Sequence, residues 1–166
     1  NEIVTEFESS QSGLISILEG FTENNFTVIP FEGSWSAAEV AEHLLIANSG
    51  AVNTLNGKTK DTARQPDQNE EMIRSAFLNF DTKMKSPDFI LPSAEPKELE
   101  DMITKCIRTG DELRKIVTGE NLTLLCTDFS LPQIGELTRY EWICFVNCHT
   151  RRHTHQLENI FNVLNK

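Results

Sequence analysis

Apolar residues recur every three or four positions along four stretches of the chain, the spacing that lines one face of an α-helix. The first predicted helix spans about 1–21 and carries Ile3, Val4, Phe7, Leu14, Ile15, Leu18 and Phe21, with Gly20 and a polar run at 22–25 ending it. The second follows a loop through Pro30 and Gly33. Trp35 stands just outside it, where an apolar side chain packs back on the first turns. Ser36 with Glu39 three residues on forms a capping box, each side chain taking a backbone N–H of the other. This helix runs to about Asn56, with Gly57 as its C′ residue. The third spans about 96–117, with Pro96 in its first turn, Leu99, Met102, Ile103, Cys106, Ile107, Leu113 and Ile116 inward, and Gly119 beyond its end. A second capping box, Thr138 with Glu141, opens the fourth helix, whose stripe is Trp142, Phe145, Val146, Leu157 and Ile160.

Residues 58–95 read as irregular apart from a short amphipathic helix near 67–80 carrying Met72, Ile73, Ala76 and Phe77. Pro87, Pro92 and Pro96 forbid one continuous helix there. So long a connection exceeds what antiparallel neighbours need and predicts a crossover that returns the third helix parallel to the second. The fold expected is all-α: a four-helix bundle with a long crossover between helices two and three. The chain shows no internal repeat and no low-complexity tract.

The stripe of the fourth helix is interrupted by His149 and His153, which at i and i+4 lie one above the other on the same face, with Gln156 beside them. Two imidazoles inside a core need partners for their ring nitrogens. On that spacing alone two readings stand: core histidines bonded to backbone or to a buried carboxylate, or ligands of a divalent metal. His43 is the one good candidate for a third ligand, on a face with Glu39, Val40, Ile46 and Ala47. His155 lies about 200° round the helix from His153 and belongs on the surface. If helices two and four are antiparallel, His43 at about 10 Å from the start of its helix and His153 at about 15 Å from the end of its own share a level, at 1.5 Å per residue. That favours the metal.

With 166 residues, 39% of them hydrophobic and 24% charged, the chain (1–166) is read as one globular domain with a full core. A net charge of −10 excludes binding nucleic acid through clustered lysines and arginines. No apolar run approaches the ~20 residues that cross a bilayer, and the N-terminal residues lack a signal-peptide pattern, so no membrane association is expected. Cys106, Cys126, Cys144 and Cys148 form no C-x-x-C pair, which fits a reduced, cytoplasmic setting. Cys144 and Cys148 lie about 100° off the histidine face and read as packing residues.

Three segments, S-W-S-A-A-E-V-A-E-H-L from Ser34, P-Q-I-G-E-L-T-R-Y-E-W from Pro132 and H-T-R-R-H-T-H-Q-L from His149, together resemble the DinB-like, or YfiT-like, metalloenzyme family over nearly the whole chain. In that family one histidine of the second helix and an H-x-x-x-H pair of the last helix bind a divalent metal inside a four-helix bundle. The resemblance makes His43, His149 and His153 the ligands. It further implies a thiol-dependent S-transferase in which the metal binds the thiolate of a low-molecular-weight thiol such as bacillithiol or mycothiol and an electrophilic substrate accepts the sulfur, with a mycothiol-dependent maleylpyruvate isomerase among the relatives. A homodimer is common among them.

Three imidazoles leave a divalent ion an open position, the mark of a catalytic site. Zinc is the expected metal and nickel the next, since nitrogen ligands discriminate weakly among later first-row ions. The nucleophile would be metal-bound water or thiolate, with no protein general base to name. Gln156 and Glu39, each one turn from a ligand, are expected to take the second N–H of His153 and His43. Arg151 and Arg152 are candidates to attract an acidic thiol, or else solvated charges. The competing class is a non-catalytic metal-binding or stress-response domain, and a third is a helical partner module without metal.

Overall fold

In a computed structural model, which describes residues 2–166, helix α1 (Glu2–Gly20) sinks Ile3, Phe7, Leu14 and Leu18 into the interior. Asn1, part of the predicted first helix, lies outside the described residues. A single turn, α2 (Glu23–Phe26), follows. It is opened by Thr22 and Asn25, which cap each other reciprocally, and it drops Phe26 into the core with its ring 6.3 Å from that of Phe21.

Helix α3 (Ala37–Leu55) begins at the expected capping box: the Ser36 N–H donates to Glu39 Oε2 at 2.8 Å and the Glu39 N–H to Ser36 Oγ at 3.2 Å. At its other end Gly57 is not a left-handed cap, because positive φ among glycines occurs only at Gly33 and Gly135. A Cβ there would sit 2.3 Å from Asp128 Oδ2, the oxygen that accepts the Lys58 N–H at 2.8 Å. Close approach of two chain segments, not helix termination, makes this residue a glycine. The same contact leads into a two-residue antiparallel pair, β1 (Thr59–Lys60) with β2 (Leu125–Cys126), with Thr59 opposite Cys126.

Helix α4 (Glu70–Phe77) is only two turns long and shorter than expected. Ile73 is buried and Phe77 half-buried, while Met72 and Ala76 face solvent. A two-turn helix packed on one neighbour has an inward edge one i,i+4 pair wide. A 3-10 turn at Asp88–Ile90 interrupts the chain before α5 (Leu99–Gly119). Pro96 precedes that helix, because the Glu23 carboxylate of α2 takes the Leu99 N–H at 3.0 Å and so fixes where the first unpaired amide falls. Ile107 is exposed and Gly119 is the last helical residue. Helix α6 (Arg139–Leu164) starts at the second capping box.

Two clusters of buried side chains give the helix directions. One gathers Ile3 and Phe7 with Val52, Leu55, Leu113, Ile116 and Ile143. The other gathers Leu14, Leu18, Val40, Leu44, Met102, Cys106, Leu157 and Ile160. The starts of α1 and α6 therefore meet the ends of α3 and α5. Helices α3 and α5 run parallel, and α1 and α6 run antiparallel to them. This is the four-helix bundle with the crossover between its second and third helices, and burying each such aliphatic side chain contributes about 1.5–3 kcal/mol.

The crossover is pinned to the bundle by Glu141, whose side chain is inaccessible to solvent. Arg64 Nη1 and Nη2 donate to its two oxygens at 2.7 Å each, the Asn69 N–H at 2.8 Å and the Thr138 N–H at 2.9 Å. Burial pushes this carboxyl's pKa up, but the Arg64 guanidinium and the two backbone N–H groups outweigh it and hold the pKa below the usual value. Among the described residues no helix is long and apolar enough to cross a membrane.

Candidate metal centre

The antiparallel run of α3 against α6 brings His43 onto His149 and His153, all three buried. His149 Nε2 lies 3.2 Å from His43 Nε2 and 3.1 Å from His153 Nε2, and candidate ligand atoms of the three fall within 4.8 Å of one another. Two of the rings are oriented from behind. His43 Nδ1 is 2.9 Å from the Ile90 carbonyl and His153 Nδ1 is 2.8 Å from Gln156 Oε1. Both neighbours accept only, so both Nδ1 atoms carry the proton and both Nε2 atoms turn a lone pair toward the third ring.

That third ring is held by packing. His149 stacks on Phe145 at 5.1 Å and 16° and meets Phe77 edge to face at 5.8 Å, and its Nδ1 is buried without a partner among the described residues. A proton on His149 Nε2 can serve only one of the two lone pairs facing it. A divalent ion satisfies all three nitrogens at once, so the donor set fits such a metal.

The electrostatics agree. Burial lowers the His43 pKa against the opposing bond to Ile90. His149 is driven well below the ordinary imidazole value by burial and then by repulsion from His153 and His43. His153 is lowered to about 3 by burial and by His43. All three rings are neutral at pH 7, the form that ligates.

Gln156 takes the place expected of it. Glu39 does not: its carboxylate is spent on the Ser36 N–H, and the Ile90 carbonyl from the crossover holds His43 instead. A backbone oxygen 47 residues downstream leaves no side-chain signature by which to find it. Arg151 points away to Glu6, at 3.4 Å. His155 is partly exposed and stacks on Phe80 at 4.6 Å. Cys144 and Cys148 are buried core residues outside the histidine cluster, and the neighbouring Cys148 thiol together with burial raises the Cys144 pKa.

The histidines line a cavity of about 400 Å³. Its walls are Ile46, Ala47 and Ala51 of α3, Trp142 and Phe145 of α6 and Phe77 of α4, and its rim is formed by Met84 to Pro87, by Phe89 and Phe129, and by Leu131 to Gln133. Neighbouring rings follow one another round it: Phe89 and Phe129 at 5.8 Å, Phe129 and Trp142 at 6.0 Å, Trp142 and Phe145 at 5.6 Å, Phe145 and Phe77 at 5.0 Å. Trp142 Nε1 is buried with no partner among the described residues. Gln133 sits at φ 69° on the rim, a left-handed conformation uncommon for a residue with a Cβ. Among the described residues no carboxylate lines the cavity, and its two charged residues are Lys85 and Arg152. Phe129 comes from a loop and Phe89 from the 3-10 turn at Asp88–Ile90, segments too short for helical periodicity to give a signal.

Residues 6–157 match the model of the DinB superfamily. The uncharacterized protein YuaE of Bacillus subtilis (strain 168) is 27% identical over 149 residues, which are 86% of this chain and 87% of that protein. The crystal structure of TT2238, a four-helix bundle protein, superposes with a TM-score of 0.62 over 95% of this chain and 97% of that one, at 18% identity, a likeness of fold.

Proposed function

The chain belongs to the DinB superfamily, and from that premise we propose that it is a divalent-metal-dependent enzyme that transfers a low-molecular-weight thiol to an electrophilic small molecule. The observation that carries this reading is the convergence of three neutral Nε2 atoms at a cavity without any carboxylate in its lining. His43, His149 and His153 would hold zinc or nickel, and no fourth histidine, cysteine or carboxylate joins them among the described residues. An open coordination position follows. When bound, such an ion supplies one thing here, a lowered pKa for a thiol, so that the sulfur is a thiolate near neutral pH.

The protein's own residues do the rest. Ile90 and Gln156 hold two rings with their lone pairs inward. The chamber's lining is mostly aromatic and aliphatic, which suits an apolar electrophile beside the sulfur. The cavity lining contains no carboxylate, and its histidines are committed as ligands, so no protein base is available. A reaction whose nucleophile is already ionised suits this site better than one that must deprotonate water during attack.

The test loads the protein with zinc or nickel and supplies cysteine, glutathione, bacillithiol or mycothiol in turn with 1-chloro-2,4-dinitrobenzene. A carbon–sulfur bond forms, the carbon–chlorine bond breaks, chloride leaves with the electron pair and the thiol proton passes to buffer. With at least one thiol the conjugation rate should rise more than tenfold over the uncatalysed mixture and return to background in His149→Ala. Loaded protein that accelerates none of the four is instead a non-catalytic metal-binding domain.

A further inference from the structure

The protein carries a net charge of −10, yet the charged side chains lining its cavity are two cations and no anion. Neither cation is neutralised. Lys85 is exposed at the rim and makes no ion pair among the described residues. Arg152 is part-buried beside His149 and His153. Its Nη1 donates to the carbonyls of Phe77, at 3.3 Å, and Asn79, at 2.8 Å, and its Nη2 donates to that of Thr82. These acceptors are neutral and use three of the five guanidinium N–H groups. The Nε–H and one Nη2–H have no acceptor among the described residues, and two such donors suit the two oxygens of a carboxylate. Opposite the aliphatic side chains of α3 the wall is a run of aromatic rings, among them Trp142, whose buried Nε1 has no partner among the described residues. Low-dielectric walls around uncompensated positive charge concentrate anions of matching shape.

We propose that the cavity takes a small aromatic carboxylate, its ring among Phe77, Phe129, Trp142 and Phe145 and its carboxylate on Arg152, with Lys85 drawing it in at the rim. This names the acceptor class of the same chamber and rests on the reading of that chamber as a substrate site. Arg152 is then a specificity-determining residue. Its carbonyl bonds tie the segment at 77–82 to α6 and none runs to a histidine ring, while its charge helps to keep His149 and His153 neutral, so binding is compared with and without metal.

The experiment compares 2-naphthoate with 2-naphthamide by titration calorimetry, on zinc-loaded and on chelator-stripped protein, in wild type, Lys85→Gln and Arg152→Gln. The carboxylate should bind at least tenfold more tightly than the amide in both metal states. Lys85→Gln should shrink that ratio severalfold and Arg152→Gln should abolish it. Equal binding of the two probes overturns the proposal, and so does binding of neither. A preference that vanishes with the metal and survives Arg152→Gln also overturns it, because the ion then reads the carboxylate. If Arg152→Gln fails to fold, the wild-type ratio and Lys85→Gln, which removes an unbonded surface cation, still decide. Failure of thiol transfer would appear in the conjugation assay and leave these ratios untouched.

Discussion

Replacing Gln156 by leucine removes, among the described residues, the only side-chain hydrogen bond that anchors a ring of the histidine cluster from behind, since the His43 Nδ1 is bonded by a backbone carbonyl and the His149 Nδ1 by none. The His153 Nδ1–H donates to Gln156 Oε1 at 2.8 Å in a site where His153 is only 8% exposed, so water cannot readily replace the lost acceptor. A buried donor left unpaired costs about 1–3 kcal/mol, and the metal-free variant should lose that much by urea unfolding. The effect on zinc is separate. The anchor fixes the tautomer that leaves Nε2 free and raises its basicity, and loss of such a partner lowers metal affinity by roughly 10–100-fold. A chelator competition should therefore show Gln156→Leu weaker by one to two orders of magnitude, while Gln156→Glu, which keeps an acceptor, binds at least as tightly as wild type. If Gln156→Leu holds zinc within twofold of wild type and unfolds at the same urea concentration, then Gln156 does not set the His153 tautomer and the argument for inward lone pairs fails.

Three further outcomes follow from the same contacts. Glu141→Ala strands the part-buried Arg64 guanidinium and two backbone N–H groups, and should destabilise by about 3–5 kcal/mol in urea titrations; a loss under 1 kcal/mol would refute its role in fastening the crossover. Gly57→Ala pushes Asp128 off the Lys58 N–H and should cost about 1 kcal/mol; the cost should shrink sharply in an Asp128→Ala background, and simple additivity would contradict the close-approach account. The folded histidines titrate below the free value, His153 at about 3, so between that value and about 6.5 the unfolded chain binds protons that the folded chain refuses. Metal-free stability should be full above about pH 6.5 and fall on acidification, by up to about 1.4 kcal/mol per pH unit per histidine, and equal urea midpoints at pH 7.5 and 5.5 would contradict it.

What could be read from the chain was what side chains declare locally. The two capping boxes, Ser36 with Glu39 and Thr138 with Glu141, place helix starts to the residue, because each is closed by atoms three positions apart. The meeting of His43 with the H-x-x-x-H pair follows from an antiparallel arrangement that the long crossover itself requires. The start of α5 was displaced from Pro96 by a carboxylate of another helix, Glu23, a contact 76 residues away. Met72 and Ile107 are apolar at helical spacing yet exposed, since periodicity locates a face without measuring how much of it a neighbour covers. Glu39 had two plausible uses one turn apart, and the cap won because its partner is fixed by the helix itself. The cavity was the least legible feature. Its rim comes from connecting segments that supply Met84 to Pro87, Phe89, Phe129 and Leu131 to Gln133, and its charge bias appears only when Lys85 and Arg152 are found to share it.

Elemental analysis of metal bound to the untagged protein, beside His43→Ala, His149→Ala and His153→Ala, bears most directly on the three-histidine centre. Wild type should hold close to one equivalent of zinc or nickel per chain, and each variant should lose it while keeping its helical circular dichroism, because each removes one of only three converging nitrogens. Wild type that stays metal-free after reconstitution with both ions, or a His43→Ala variant that retains a full equivalent, would contradict the account and leave the three rings as a hydrogen-bonded cluster in the core.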